Sequence, residues 1–81
     1  MSFNRNDAKA KIVEFLKIPA ARVQEDSPLV DLVAESFMLI EMVIELQEAF
    51  SLRLNREELE EIKTVGQLLD LLQEKSAAAV G

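Results

Sequence analysis

Ser36 stands at the head of an amphipathic run, Phe37 to Phe50, along which Glu41, Glu45 and Glu48 recur on one side. A hydroxyl at the start of a helix lies beside backbone N–H groups that have no carbonyl partner, at the positive end of the helix dipole. An anion carried there is favoured. The same position suits a serine that merely caps a helix. Leu39, at the third helical position, denies it the Glu or Gln of a capping box. The chain contains no cysteine and no histidine, which removes thiol nucleophiles, disulfides, zinc sites and the usual general base together. Any reaction at Ser36 must be activated by another protein, and neither a catalytic nor a metal-ligating residue is assigned.

The charge is unevenly spread. The 81 residues carry a net charge of -6. Up to Ala34 the acids and bases balance, whereas from Glu35 to Glu61 eight glutamates face only Arg53 and Arg56. An acidic surface repels nucleic acid and anionic membranes and steers towards basic patches on other proteins. A solvated face without a partner has the same composition.

These residues need a scaffold of helices. Nearly half of the chain is apolar, yet it has two glycines and two prolines, so its long apolar stretches lack the punctuation of hairpins. An all-α fold in one small domain follows, near the lower size limit for an independent core. The first helix is expected from Asp7 to Lys17, capped by Asn6 or Asp7, with Ala8, Ile12, Phe15 and Leu16 on its inner face and Pro19 ending it. Residues 18–35 form a long loop, with one helical turn after Pro28, pinned by Val23, Leu29, Val30 and Leu32. The second helix runs from Ser36 to about Phe50, its core stripe being Leu39, Val43, Leu46 and Phe50 with Met42 at the edge. Phe37, Ile40 and Ile44 border the acidic side, either packed under the loop or left exposed. Asn55 and Glu58 fit the cap of a short third helix to about Glu61. Thr64 and Gln67 form a capping box for a last helix from Val65 to about Lys75. The ordered core is placed at about 6–75, with the small residues of 76–81 expected to fray. Neither a leader nor a membrane span is read, and a cytoplasmic location is expected.

The segment Leu29 to Leu72 resembles an acyl carrier protein. Its residues are the loop Leu29-Val30-Asp31-Leu32, a serine opening an acidic helix, Glu45-Leu46-Gln47-Glu48-Ala49-Phe50, and Ile62-Lys63-Thr64-Val65-Gly66 leading into the last helix. The family's Asp-Ser-Leu motif, whose serine receives 4'-phosphopantetheine from coenzyme A, stands here as Glu35-Ser36-Phe37. The resemblance implies a four-helix bundle of acyl-carrier type with a long first loop and a short third helix, residues 1–81 forming a single carrier domain. It also implies a carrier that tethers acyl intermediates as thioesters on an arm at Ser36, flanked by Glu35 and Phe37, for fatty-acid-like, polyketide or modified-lipid synthesis. Aminoacyl and peptidyl carriers use the same serine chemistry. An unmodified helical adaptor is the alternative from a different class.

The implied partners are a magnesium-dependent phosphopantetheinyl transferase and acyl-activating, condensing or acyl-transferring enzymes with basic patches. They would dock on Glu41, Glu45 and Glu48 and on Phe37, Ile40 and Ile44; a monomer that binds no nucleic acid and does not insert into membranes is expected. Leu54, Leu59, Ile62 and Leu68 match positions that line the family's acyl cavity. Leu59 and Leu68 are larger than the residues common there, so core filling and a small internal pocket are expected. Glu35 in place of aspartate, Phe37 in place of leucine, and Val33 in place of the glycine three residues before the serine mark a specialised carrier.

Overall fold

The structure is a computed structural model that describes residues 3–33 and 35–80. Three longer helices, α1 (Arg5–Leu16), α3 (Ser36–Phe50) and α5 (Val65–Val80), enclose the core, with a short α4 (Arg56–Glu61) between the last two. The expected turn after Pro28 is present as α2 (Leu29–Leu32), and a 3₁₀ turn at Ala20–Arg22 precedes it. Among the described residues there is no strand, only an isolated antiparallel bridge between Pro28 and Thr64. This is the expected all-α bundle with a long first connection.

Helix α1 starts two residues earlier than its periodicity suggested. Asn4 is the cap, and its side-chain oxygen accepts from the N–H groups of Asn6 at 2.8 Å and Asp7 at 3.2 Å. Asn6 and Asp7 are thus the donors of the cap, not its acceptor. The helix stops at Lys17, which adopts the left-handed conformation at φ 57°, before Pro19 exerts any effect. Ser51 closes α3 in the same way, at φ 54°, with Leu52 donating back to the Gln47 carbonyl at 2.8 Å.

Ala8 and Ile12 of α1 and Met42, Val43 and Leu46 of α3 meet Val65, Leu68, Leu69 and Leu72 of α5 in the core, all essentially inaccessible to water. Met42 is therefore central and not at the edge, whereas Leu39 and Phe50 are only partly buried. The helix needs an inner face wide enough to meet α1 as well as α5, and Met42 is turned towards α1. Phe50 is closed off by Phe3, edge to face with ring centres 5.2 Å apart.

Helix α5 is longer than expected. It continues to Val80 and not to about Lys75, because the stretch 76–79 carries three alanines, the best helix formers. Gly81, Met1, Ser2 and Ala34 lie outside the described residues. No helix among those described is long and apolar enough to cross a membrane.

Candidate functional site

Ser36 is exposed, and it is the first residue inside α3, not its cap. The cap is Glu35, in extended backbone at φ -115° and ψ 135°, and its side chain makes no capping hydrogen bond. The Glu35 carbonyl accepts from Met38 at 3.1 Å and Leu39 at 3.3 Å. Among the described residues no partner is found for the N–H groups of Ser36 and Phe37, nor for the Ser36 hydroxyl. The plain-cap reading of this serine therefore fails. Among the described residues this leaves the Ser36 hydroxyl and two N–H groups without partners at a helix N-terminus, a setting that suits a phosphodiester on Oγ.

Phe37, Ile40 and Ile44 are 56%, 41% and 46% exposed, so they do not pack under the loop. At helical spacing Phe37, Ile40, Glu41, Ile44 and Glu48 share one face, running about 16 Å down from the serine. Glu41 and Glu48 thus flank an apolar strip. Glu45 lies apart from it, in a groove between α1 and α3 that Lys11, Glu14 and Phe15 also line. Val30, expected to pin the loop, is instead 77% exposed on α2. Val33 is buried, at 7% exposure, in extended backbone at φ -125°. That conformation is open to any residue, so nothing in the backbone calls for glycine there.

The loop that delivers Ser36 is held from behind. Leu29 donates to the Lys63 carbonyl at 2.8 Å, Val65 to Ser27 at 3.0 Å and Gly66 to Glu25 at 2.7 Å. Loop carbonyls therefore satisfy the first two N–H groups of α5. The Glu25 carboxylate takes both Arg5 and Lys9 from α1, the latter at 3.3 Å, while Arg5 also reaches Asp70 of α5 at 2.7 Å. The hydrogen bond from Arg5 holds the Glu25 carboxyl below its ordinary range, with Lys9 acting in the same direction. Sequence reasoning missed this anchor. Gly66 in the first turn of a helix was its one visible signal, since a glycine there marks a close approach.

Between α3, α4 and α5 lies an apolar cavity of about 30 Å³, lined by Leu29, Leu39, Ile40, Val43, Leu59, Ile62 and Leu68. Of the side chains expected around an internal pocket, Leu59, Ile62 and Leu68 are present and Leu54 is not. The cavity is as small as the bulk of Leu59 and Leu68 suggested.

A family model described as the phosphopantetheine attachment site matches residues 7–72. The acyl carrier protein of Chlamydia trachomatis serovar D is 34% identical over 71 residues, covering 86% of this chain and 92% of that protein. That of Wolinella succinogenes is 36% identical over 69 residues, covering 84% and 91%. That of Helicobacter hepaticus is 43% identical over 58 residues, covering 70% and 76%. The chain belongs to the acyl carrier protein family. The group that this acyl carrier holds covalently is 4'-phosphopantetheine. The matched span contains Ser36 together with the anchored loop and the whole of α3 and α4.

Proposed function

We propose that the carrier bears 4'-phosphopantetheine on Ser36 and presents an acyl group to partner enzymes that dock on α3. The observation that carries the assignment is the exposed Ser36 hydroxyl, unpartnered among the described residues, beside the open N–H groups of Ser36 and Phe37. In the attachment step Oγ forms a bond to the phosphorus that bears the pantetheine of coenzyme A. The bond from that phosphorus to the nucleotide breaks, adenosine 3',5'-bisphosphate leaves, and the hydroxyl proton passes to a base of the transferase. Once attached, the arm supplies a terminal thiol on which the acyl group rides as a thioester. The helix end favours the new negative charge by about 0.3–1 kcal/mol, enough to help hold the product but not to drive its formation.

The α3 face supplies the docking chemistry. Glu41 and Glu48 offer charge to Lys or Arg of a partner, and Phe37, Ile40 and Ile44 offer apolar contact within the same strip. Glu45 contributes from the α1 side. Glu35, with no capping bond to hold it, is free to take part at the attachment point. In this reading residues 1–81 act as a single, monomeric carrier domain in the cytoplasm.

The test is intact mass after incubation with a broad-specificity transferase and coenzyme A, followed by peptide mapping. A gain of one phosphopantetheine, mapped to Ser36 and lost in Ser36→Ala, is expected. An arm on Ser2, Ser27, Ser51 or Ser76, or none at all, would overturn the assignment; the latter outcome would favour an unmodified adaptor.

A further inference from the structure

Resting on Ser36 as the attachment point, we propose that this carrier holds its cargo outside the helical core. The cargo is then a short or polar acyl group, and Leu59 and Leu68 are the side chains that shut out a longer alkyl chain. The cavity between α3, α4 and α5 is the one place among the cavities described that could shelter an alkyl chain, since its lining is wholly apolar. It also lies on the correct side. Ser36, Ile40 and Val43 fall on one face of α3 at helical spacing, and Ile40, partly exposed, stands at the cavity's rim. A chain folding back from Ser36 would arrive there first.

The volume then decides what can enter. About 30 Å³ is room on the scale of one or two water molecules. Leu68 is fully buried, and Leu59 packs against the core from α4. Widening the space means driving Leu68 out of a close-packed interior or swinging α4 away from α5.

Helix α4 is fastened against that motion. Glu58 pairs with Lys75 of α5 at 2.9 Å and also accepts from the Asn55 N–H at 3.0 Å. On the near side the Gln47 side chain accepts from the Leu54 N–H at 2.9 Å, which ties the connector to α3. The neighbouring groove between α4 and α5 has Ile62 and Leu71 in its lining, but it is wide open to solvent. Glu58, Glu61, Asp70 and Glu74 line it as well, so a chain lying there would stay in contact with water. A long alkyl chain would therefore remain in water, whereas a short or polar group loses little by staying outside.

The test loads the Ser36-modified protein with acetyl, butyryl, octanoyl and dodecanoyl groups, each confirmed by intact mass. Nuclear Overhauser contacts from the acyl methylenes to the methyl groups of Val43, Leu59, Ile62 and Leu68 are then recorded, together with the thermal midpoint. No such contacts and a midpoint independent of chain length are expected for the native protein. Leu59→Ala, a substitution at a partly buried position, should let octanoyl contacts appear and raise the midpoint with chain length; Leu68→Ala should do so more strongly where it folds. Octanoyl or dodecanoyl contacts to Leu68 in the native protein would overturn the cargo proposal while leaving the attachment site intact. A native protein that accepts no arm overturns the reading of Ser36, and the cargo proposal with it.

Discussion

The N–H of Gly66 donates to the carbonyl oxygen of Glu25 at 2.7 Å, and a Cβ added at Gly66 would lie 2.7 Å from that same oxygen. One contact thus joins the loop before the candidate attachment site to the first turn of the last helix. It leaves no room for any side chain at residue 66.

Gly66→Ala should therefore destabilise the fold, although alanine is ordinarily the better helix former. Overpacking against backbone costs about 1–3 kcal/mol, while the propensity gain of up to about 1 kcal/mol is reduced in a first turn. A net loss of roughly 1–2 kcal/mol, read as a fall of several degrees in the thermal midpoint, is expected. An unchanged or higher midpoint would show that the loop yields freely.

Acid should loosen the same anchor. Glu25 is held below its ordinary range first by the hydrogen bond from Arg5, and Glu58 first by that from Lys75. A carboxyl with a depressed folded pKa stabilises the native state fully above its unfolded value of 4.5 and loses that contribution as pH falls through the folded value. The midpoint of the native protein should thus drop as pH is lowered below about 4.5, more steeply than that of Glu25→Gln. Parallel curves for the two proteins would remove Glu25 from the account.

The balance between what was legible beforehand and what was not follows the range of the interactions. The helices and the Thr64–Gln67 and Asn55–Glu58 caps depend on neighbours within a turn or two, and residue types alone disclose them. Phe37, Ile40 and Ile44 were legible only as a border of the acidic side, their exposure being settled by where the loop packs. Asn4 escaped because its capping role shows only in where its side chain points. Met42 escaped because its burial depends on α1, distant in sequence. The loop anchor joins residues some forty positions apart through backbone atoms, which every residue carries alike and no sequence pattern reveals. At the site, Ser36 was visible as a helix-opening residue, but only the extended backbone at Glu35 showed that Glu35 holds the cap position and Ser36 lies one place inside the helix.

Charge reversal on α3 should separate docking from folding. Glu41→Lys with Glu48→Lys is expected to lower the transferase's kcat/KM on the order of tenfold at low ionic strength, and the gap should narrow as salt screens the encounter. Helical circular dichroism should be unchanged, because both side chains are exposed. Equal rates across a salt series would remove these acids from the contact.

Two of the departures near Ser36, Glu35 and Val33, should behave differently from each other. Glu35→Asp shortens an exposed side chain that makes no capping bond, and it should raise the rate of a generic transferase with no change in stability. Equal rates would show that the longer carboxylate carries no specificity. Val33→Gly, which restores the glycine common in the family, removes a buried side chain. A loss of about 1.5–3 kcal/mol is expected from that burial, measurable by urea unfolding.

The opening turn of a helix is usually where it frays, since its N–H groups face water. In α5 those of Val65 and Gly66 are instead held by Ser27 and Glu25. Opening that turn requires releasing the loop, and releasing the loop bares that turn, so the two form one cooperative unit despite their separation along the chain. In deuterium exchange these amides should rank with the slow ones of the helix interior. A molecule caught in that open state would also have lost the support behind Ser36, so the slowness of the exchange measures how rarely the carrier presents its serine out of place.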